Sequence, residues 1–136
     1  MTPEKLVALA LEARERAYTP YSGFAVGAAL LCADGSVYQG CNIENAAFGP
    51  TICAERVAMF KAVYDGKRDF EAIAVAGGRA GEEITGLFPP CGVCRQVLRE
   101  FCDLDFMLYL GKENNGWVET TLGEILPYSF SSADMK

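Results

Sequence analysis

Ala72-Ile73-Ala74-Val75-Ala76, then Pro89-Pro90-Cys91-Gly92-Val93-Cys94, then Phe106-Met107-Leu108-Tyr109-Leu110 are the segments whose order decides the fold. The first and last are apolar runs of strand length. A loop rich in Gly and Glu follows the first and runs to Phe88-Pro89-Pro90. Proline suits the entry to a helix and not its interior, so a helix is expected from Gly92 to Phe101. Strand, helix, strand over residues 72 to 110 predicts a right-handed parallel unit.

Upstream, Val26 to Cys32 and Ser36 to Cys41 flank the turn Ala33-Asp34-Gly35 and predict an antiparallel hairpin. Before it, Leu6, Leu9, Ala10, Ala13 and Ala17 share one helical face, with Thr2 as N-cap and Pro3 in the first turn. Between hairpin and parallel unit, Cys53 to Tyr64 repeats apolar residues at helical spacing, Val57, Phe60, Ala62 and Val63 among them, and Asp65-Gly66 ends it. Downstream, Asn114-Asn115-Gly116 reads as a second hairpin turn before Trp117 to Thr120, and Thr121 to Leu126 as a short helix closed by Pro127. The expected class is α/β: a single-domain, three-layer α/β/α sandwich on a mixed sheet spanning residues 1–136.

Composition narrows the function. The chain has 136 residues, formal net charge −6, 51% apolar residues and no histidine. A phosphate backbone would be repelled, and Lys and Arg form no basic stripe, so no nucleic-acid partner is expected. No apolar run reaches the length of a membrane span, and the first residues lack a signal-peptide pattern, so a cytoplasmic protein is expected. The absence of histidine removes Ser-His and Cys-His catalysis, leaving sulfur or carboxylate to hold any metal.

Six cysteines in a chain of this size point to metal or catalysis more than to disulfides. Cys53 and the pair Cys91 and Cys94 stand at the starts of two expected helices, where unpaired N–H groups favour thiolate over thiol. Three such ligands leave the fourth tetrahedral position of a zinc ion open, as in catalytic sites. A fourth sulfur from Cys41 or Cys102 would instead close a structural site. Cys32, Cys41 and Cys102 otherwise read as small buried hydrophobes. Glu55, on the same first turn as Cys53, is placed for acid–base work beside the metal. Arg56 and Arg95 are the cations available to withdraw charge from the sulfurs, Arg56 being the first choice. Asn42 and Glu44, two apart at a strand end, offer an amide and a carboxylate that suit a sugar diol.

The pattern Cys53-Ala54-Glu55 followed by Pro90-Cys91-Gly92-Val93-Cys94 is the established signature of zinc deaminases. With Tyr21-Ser22-Gly23-Phe24-Ala25-Val26-Gly27 and Gly40-Cys41-Asn42-Ile43-Glu44-Asn45-Ala46-Ala47, the chain resembles the small homotetrameric cytidine deaminases over nearly its whole length. The resemblance implies a cytidine deaminase-like fold, one Zn(2+) per chain on Cys53, Cys91 and Cys94, and Glu55 as proton carrier. It implies substrate contacts from Phe24, Asn42, Glu44 and Ala54, and a role for Arg56 at the ligand sulfurs. It also implies a pyrimidine nucleoside as substrate and a homotetramer in which Phe130, from the aromatic tail that includes Tyr128, reaches a neighbour's site. The sequence departs from the family pattern at Phe48-Gly49-Pro50-Thr51-Ile52 and Phe88-Pro89, beside the motifs, and at Val93, a variable position between the two cysteines.

Overall fold

The computed structural model describes residues 1–136. Five strands form one sheet: β1 (Phe24–Cys32), β2 (Val37–Cys41), β3 (Phe70–Arg79), β4 (Met107–Lys112) and β5 (Gly116–Thr121), in the order β2-β1-β3-β4-β5. The β3–β4 pair is parallel and every other pair antiparallel, giving the mixed sheet expected. Helix α1 (Pro3–Arg14) covers one face. Helices α2 (Ala54–Tyr64) and α3 (Gly92–Phe101) cover the other, and α4 (Leu122–Ile125) closes its far end.

Each layer follows from the side chains. Val26, Ala28, Leu30 and Cys32 of β1 pack toward α2 and α3, whereas Ala29 and Leu31 pack toward α1, the alternation a strand imposes. Cys32 and Cys102 are buried apolar residues, and Cys41 is half-buried. The second hairpin turns through Asn114 and Asn115, both at positive φ (60° and 58°), the geometry that matches strand twist and that asparagine tolerates.

Three expectations need correction. Helix α1 stops at Arg14 rather than Ala17, because the chain leaves it to pair Tyr18 with Ile43 beside the sheet. Its buried face includes Val7 and Arg14 while Leu9 is only half-buried. The Arg14 guanidinium is satisfied by the carbonyls of Ala25, Arg79 and Glu82, so its charge is buried without a carboxylate. In α2 the inner face is Ala54, Ala58, Met59 and Ala62, and Phe60 points outward, 45% exposed. Small residues are required at Ala54 and Ala58 because α2 lies hard against β2 there. A Cβ on Gly40 would meet the Ala54 carbonyl oxygen at 2.4 Å. That contact sets the N-terminus of α2, and with it Cys53 and Glu55, over the sheet.

Candidate active site

Helices α2 and α3 both begin at a cysteine. Cys53 and Cys91 occupy the N-caps in extended conformation, and neither side chain caps its helix. Their sulfurs turn toward each other instead: Cys53 Sγ lies 3.7 Å from Cys91 Sγ, and Cys91 Sγ 3.5 Å from Cys94 Sγ. All three sulfurs fall within 4.8 Å of one another. A disulfide would hold sulfurs about 2.05 Å apart, whereas zinc at about 2.3 Å from each of several tetrahedral sulfurs separates them by roughly 3.8 Å. The donor set fits zinc in identity, number and spacing, and Cys32, Cys41 and Cys102 stand outside it.

Cys53 and Cys94 share a proton unequally. A hydrogen bond with Cys94, followed by the Arg56 guanidinium, brings Cys53 down to about 5. Cys94 is pushed up, first by its bond to the Cys53 thiolate and then by burial. Arg56 Nη2 donates to Cys53 Sγ at 3.6 Å, and its Nε is buried without a partner. Arg95, the other candidate cation, turns away: its guanidinium donates to the carbonyls of Pro90 and Ile125.

Glu55 is 3% exposed on the first turn of α2. Burial raises its carboxyl to about 7, with a contribution from the Cys53 thiolate. A carboxyl so placed takes and releases a proton near neutrality. It faces a cleft of about 280 Å³ whose lining also includes Phe24, Asn42, Glu44, Ala54, Cys53 and Cys91. The fold thus gathers residues from β1, the chain after β2, and the starts of α2 and α3 around one space.

The polar groups in that cleft are more committed than their spacing suggests. Asn42 Oδ1 accepts from the Val26 N–H at 2.9 Å while its Nδ2 donates to the Phe24 carbonyl at 2.8 Å. One amide hydrogen remains free. The N–H groups of Tyr21 and Ser22 donate to Glu44 Oε1 at 3.0 and 3.1 Å, and the Ser22 hydroxyl donates to Oε2. Ser22 thereby keeps the Glu44 carboxyl below its usual range. Both side chains are preorganised.

Phe24 meets Phe88 with ring centroids 6.1 Å apart, and the Arg79 guanidinium lies 5.2 Å from the Phe24 ring centre. Phe88 is a wall residue that spacing alone did not reveal. It lies on Gly77, where a Cβ would meet Phe88 Cγ at 2.6 Å. The glycine pair Gly77-Gly78 at the end of β3 was the available signal. Phe130 is outside its own chain's cleft, 58% exposed, with its carbonyl accepting from Gln96 Nε2 at 2.9 Å. Tyr128 is fully exposed at positive φ (53°).

Comparison with known proteins agrees with this geometry. The profile of the family described as "Cytidine and deoxycytidylate deaminase zinc-binding region" matches residues 1–110. A cytidine deaminase of Sporosarcina psychrophila is 50% identical over 99% of this chain and 96% of its own length. A cytidine deaminase of Halalkalibacterium halodurans is also 50% identical, over 99% of this chain and 98% of that protein. Among solved structures, the cytidine deaminase of Burkholderia pseudomallei superposes with a TM-score of 0.87 at 45% identity, covering 96% of this chain and 100% of that one.

Proposed function

Because this chain belongs to the cytidine and deoxycytidylate deaminase family, we propose that it hydrolyses cytidine, and deoxycytidine, to uridine or deoxyuridine and ammonia. Residues 1–136 act as one catalytic domain. The observation that carries this reading is the buried Glu55 carboxyl beside three clustered cysteine sulfurs, at the wall of a cleft that also holds Asn42 and Glu44.

Cys53, Cys91 and Cys94 hold one zinc ion per chain, and bound zinc supplies the Lewis acidity that makes water nucleophilic at neutral pH. Glu55 accepts the proton of the attacking water as oxygen bonds to C4 of the pyrimidine. It delivers that proton to N3 and carries the next one to the departing amino group, so that one water is consumed and one ammonia released. Phe24 packs against the nucleoside, and Ala54, at the start of α2, contacts it from the cleft wall. Asn42 and Glu44 bind the sugar hydroxyls with side chains already fixed by β1 and by Ser22. Arg56 draws charge from Cys53 and offsets the surplus of three thiolates.

The enzyme works in the cytoplasm, in pyrimidine salvage, as a homotetramer. Support for assembly comes from the tail: Tyr128 and Phe130 are exposed aromatics that a neighbouring chain would cover. On this reading Phe130 completes a partner's cleft, and no helix here is long and apolar enough to cross a membrane. Ammonia release measured on cytidine, deoxycytidine, cytidine monophosphate and adenosine tests the assignment. Turnover of both nucleosides is expected, with the monophosphate excluded by the Glu44 charge. Activity on adenosine or the monophosphate alone would overturn it, and a monomer by sedimentation would remove the shared site.

A further inference from the structure

Arg95 directly follows the ligand Cys94, yet its side chain turns back along α3, the direction helical side chains favour. Nε donates to the Pro90 carbonyl at 2.8 Å, and Nη1 donates to the Ile125 carbonyl at 2.6 Å. Neither bond is to a carboxylate. Pro90 is fully buried, and its carbonyl belongs to the peptide that leads into Cys91. A peptide unit is planar, so fixing that oxygen fixes the plane that contains the Cα of Cys91. The second anchor is firm as well, because Ile125 ends α4, whose Leu122 is fully buried in the core.

From this geometry we propose that Arg95 is a positioning residue for the metal site: it holds the Pro90–Cys91 peptide against α4 and so fixes the Cys91 sulfur. The inference rests on the three-cysteine zinc reading and adds to it a support that acts through backbone rather than through sulfur. The two arginines beside the ligands then have separate jobs. Arg56 touches Cys53 Sγ and modulates its charge, whereas Arg95 touches no sulfur and governs where Cys91 stands. Elsewhere on α3, Gln96 and Arg99 bond only to the tail and to the helix end, at the Phe130 carbonyl, the Ser129 hydroxyl and the Cys102 carbonyl. They serve as internal controls, since they share the helix with Arg95 but not its contact with the ligand loop.

The experiment follows zinc release from the zinc-loaded protein into a chromogenic chelator, with kcat, KM and the pH–rate profile of the same samples. Outer partners that orient metal ligands typically change metal affinity by about 10- to 100-fold. Arg95→Gln is therefore expected to release zinc about tenfold faster or more, with its pH optimum in place. Arg95→Lys, whose ammonium reaches one carbonyl at a time, is expected to fall between Arg95→Gln and wild type, and it keeps the charge should Arg95→Gln fold poorly. Arg99→Gln and Gln96→Ala are expected to release zinc at the wild-type rate. A wild-type release rate in both Arg95 variants, or equal acceleration in Arg99→Gln, would overturn the role of Arg95 while leaving the zinc reading intact. A wild type that holds no zinc would overturn both.

Discussion

Glu55→Gln separates catalysis from stability in one substitution. Glutamine has nearly the same shape but carries no proton, and positioned proton transfer contributes about 10²- to 10⁴-fold to such reactions. A fall in kcat of at least that order is expected, with zinc content unchanged because the three sulfurs are untouched. Stability should move the other way. Burial raises the Glu55 carboxyl from 4.5 to about 7, so between these values the folded chain binds a proton that the unfolded chain has lost. Stability of the metal-free protein therefore falls as pH rises through that window, and the loss levels off above it. A shift of this size corresponds to about 3 kcal/mol. Glutamine has no such penalty, so metal-free Glu55→Gln should exceed metal-free wild type by up to that amount at pH 8 and match it below about pH 4.5. Urea unfolding followed by the fluorescence of the single tryptophan, Trp117, gives the difference at each pH. A variant with kcat within tenfold of wild type would remove Glu55 as proton carrier. One with pH-independent relative stability would remove the buried, raised carboxyl.

The remaining predictions concern separate parts of the site. Cys53→Ala, Cys91→Ala and Cys94→Ala should each lose zinc by metal assay, while Cys32→Ala, Cys41→Ala and Cys102→Ala retain one per chain; equal loss at Cys41 or Cys102 would indicate a closed four-sulfur site. Burial pushes the Cys102 thiol up to about 12, so iodoacetamide at pH 8 should leave it unmodified in the folded protein, and mass spectrometry after digestion reads this directly. Glu44→Ala should lower kcat/KM on cytidine by 10-fold or more while zinc stays, because a site built to bond hydroxyls suffers when its partner is lost; an unchanged value would take Glu44 out of substrate binding. Arg56→Gln should keep the metal, lower kcat and move the pH optimum upward, and wild-type behaviour across pH would end the role assigned to its contact with Cys53.

What the sequence disclosed and what it hid divide along a physical line. Hairpin turns, helix starts and the strand–helix–strand unit are local signals, and each element appeared within a few residues of its expected place. The cysteines were legible for the same reason, since a ligand at each of two helix starts leaves little choice of where the sulfurs meet. Contacts decided by distant neighbours were not legible. The outward turn of Phe60 follows from the close approach of α2 to Gly40, and the place of Phe88 from the bare surface of Gly77. Likewise, the spacing of Asn42 and Glu44 suggested free polar groups, but one extends the ladder to β1 and the other anchors the Tyr21-Ser22 turn. Arg95 looked like a partner for sulfur because of its position, and only the fold shows that it reaches carbonyls instead.

The neighbours Glu55 and Arg56 explain why the site needs both burial and a cation, and why the two must not meet. At 3.6 residues per turn, adjacent helical positions diverge by about 100°, so the carboxyl and the guanidinium leave α2 in different directions. A cation paired with Glu55 would hold it ionised and unable to release a proton near neutral pH. Burial does the opposite and outweighs the lowering by the nearby Arg56 charge, leaving the carboxyl at about 7, where both forms are accessible. The charge that does need an answer is on the sulfurs, since three thiolates exceed the charge of one divalent zinc. Arg56, 3.6 Å from the Cys53 sulfur, is the cation proposed to answer it. In the proposed mechanism, with the guanidinium engaged there and the carboxyl desolvated on the preceding residue, one turn of helix would supply both the moderated ligand and the proton carrier.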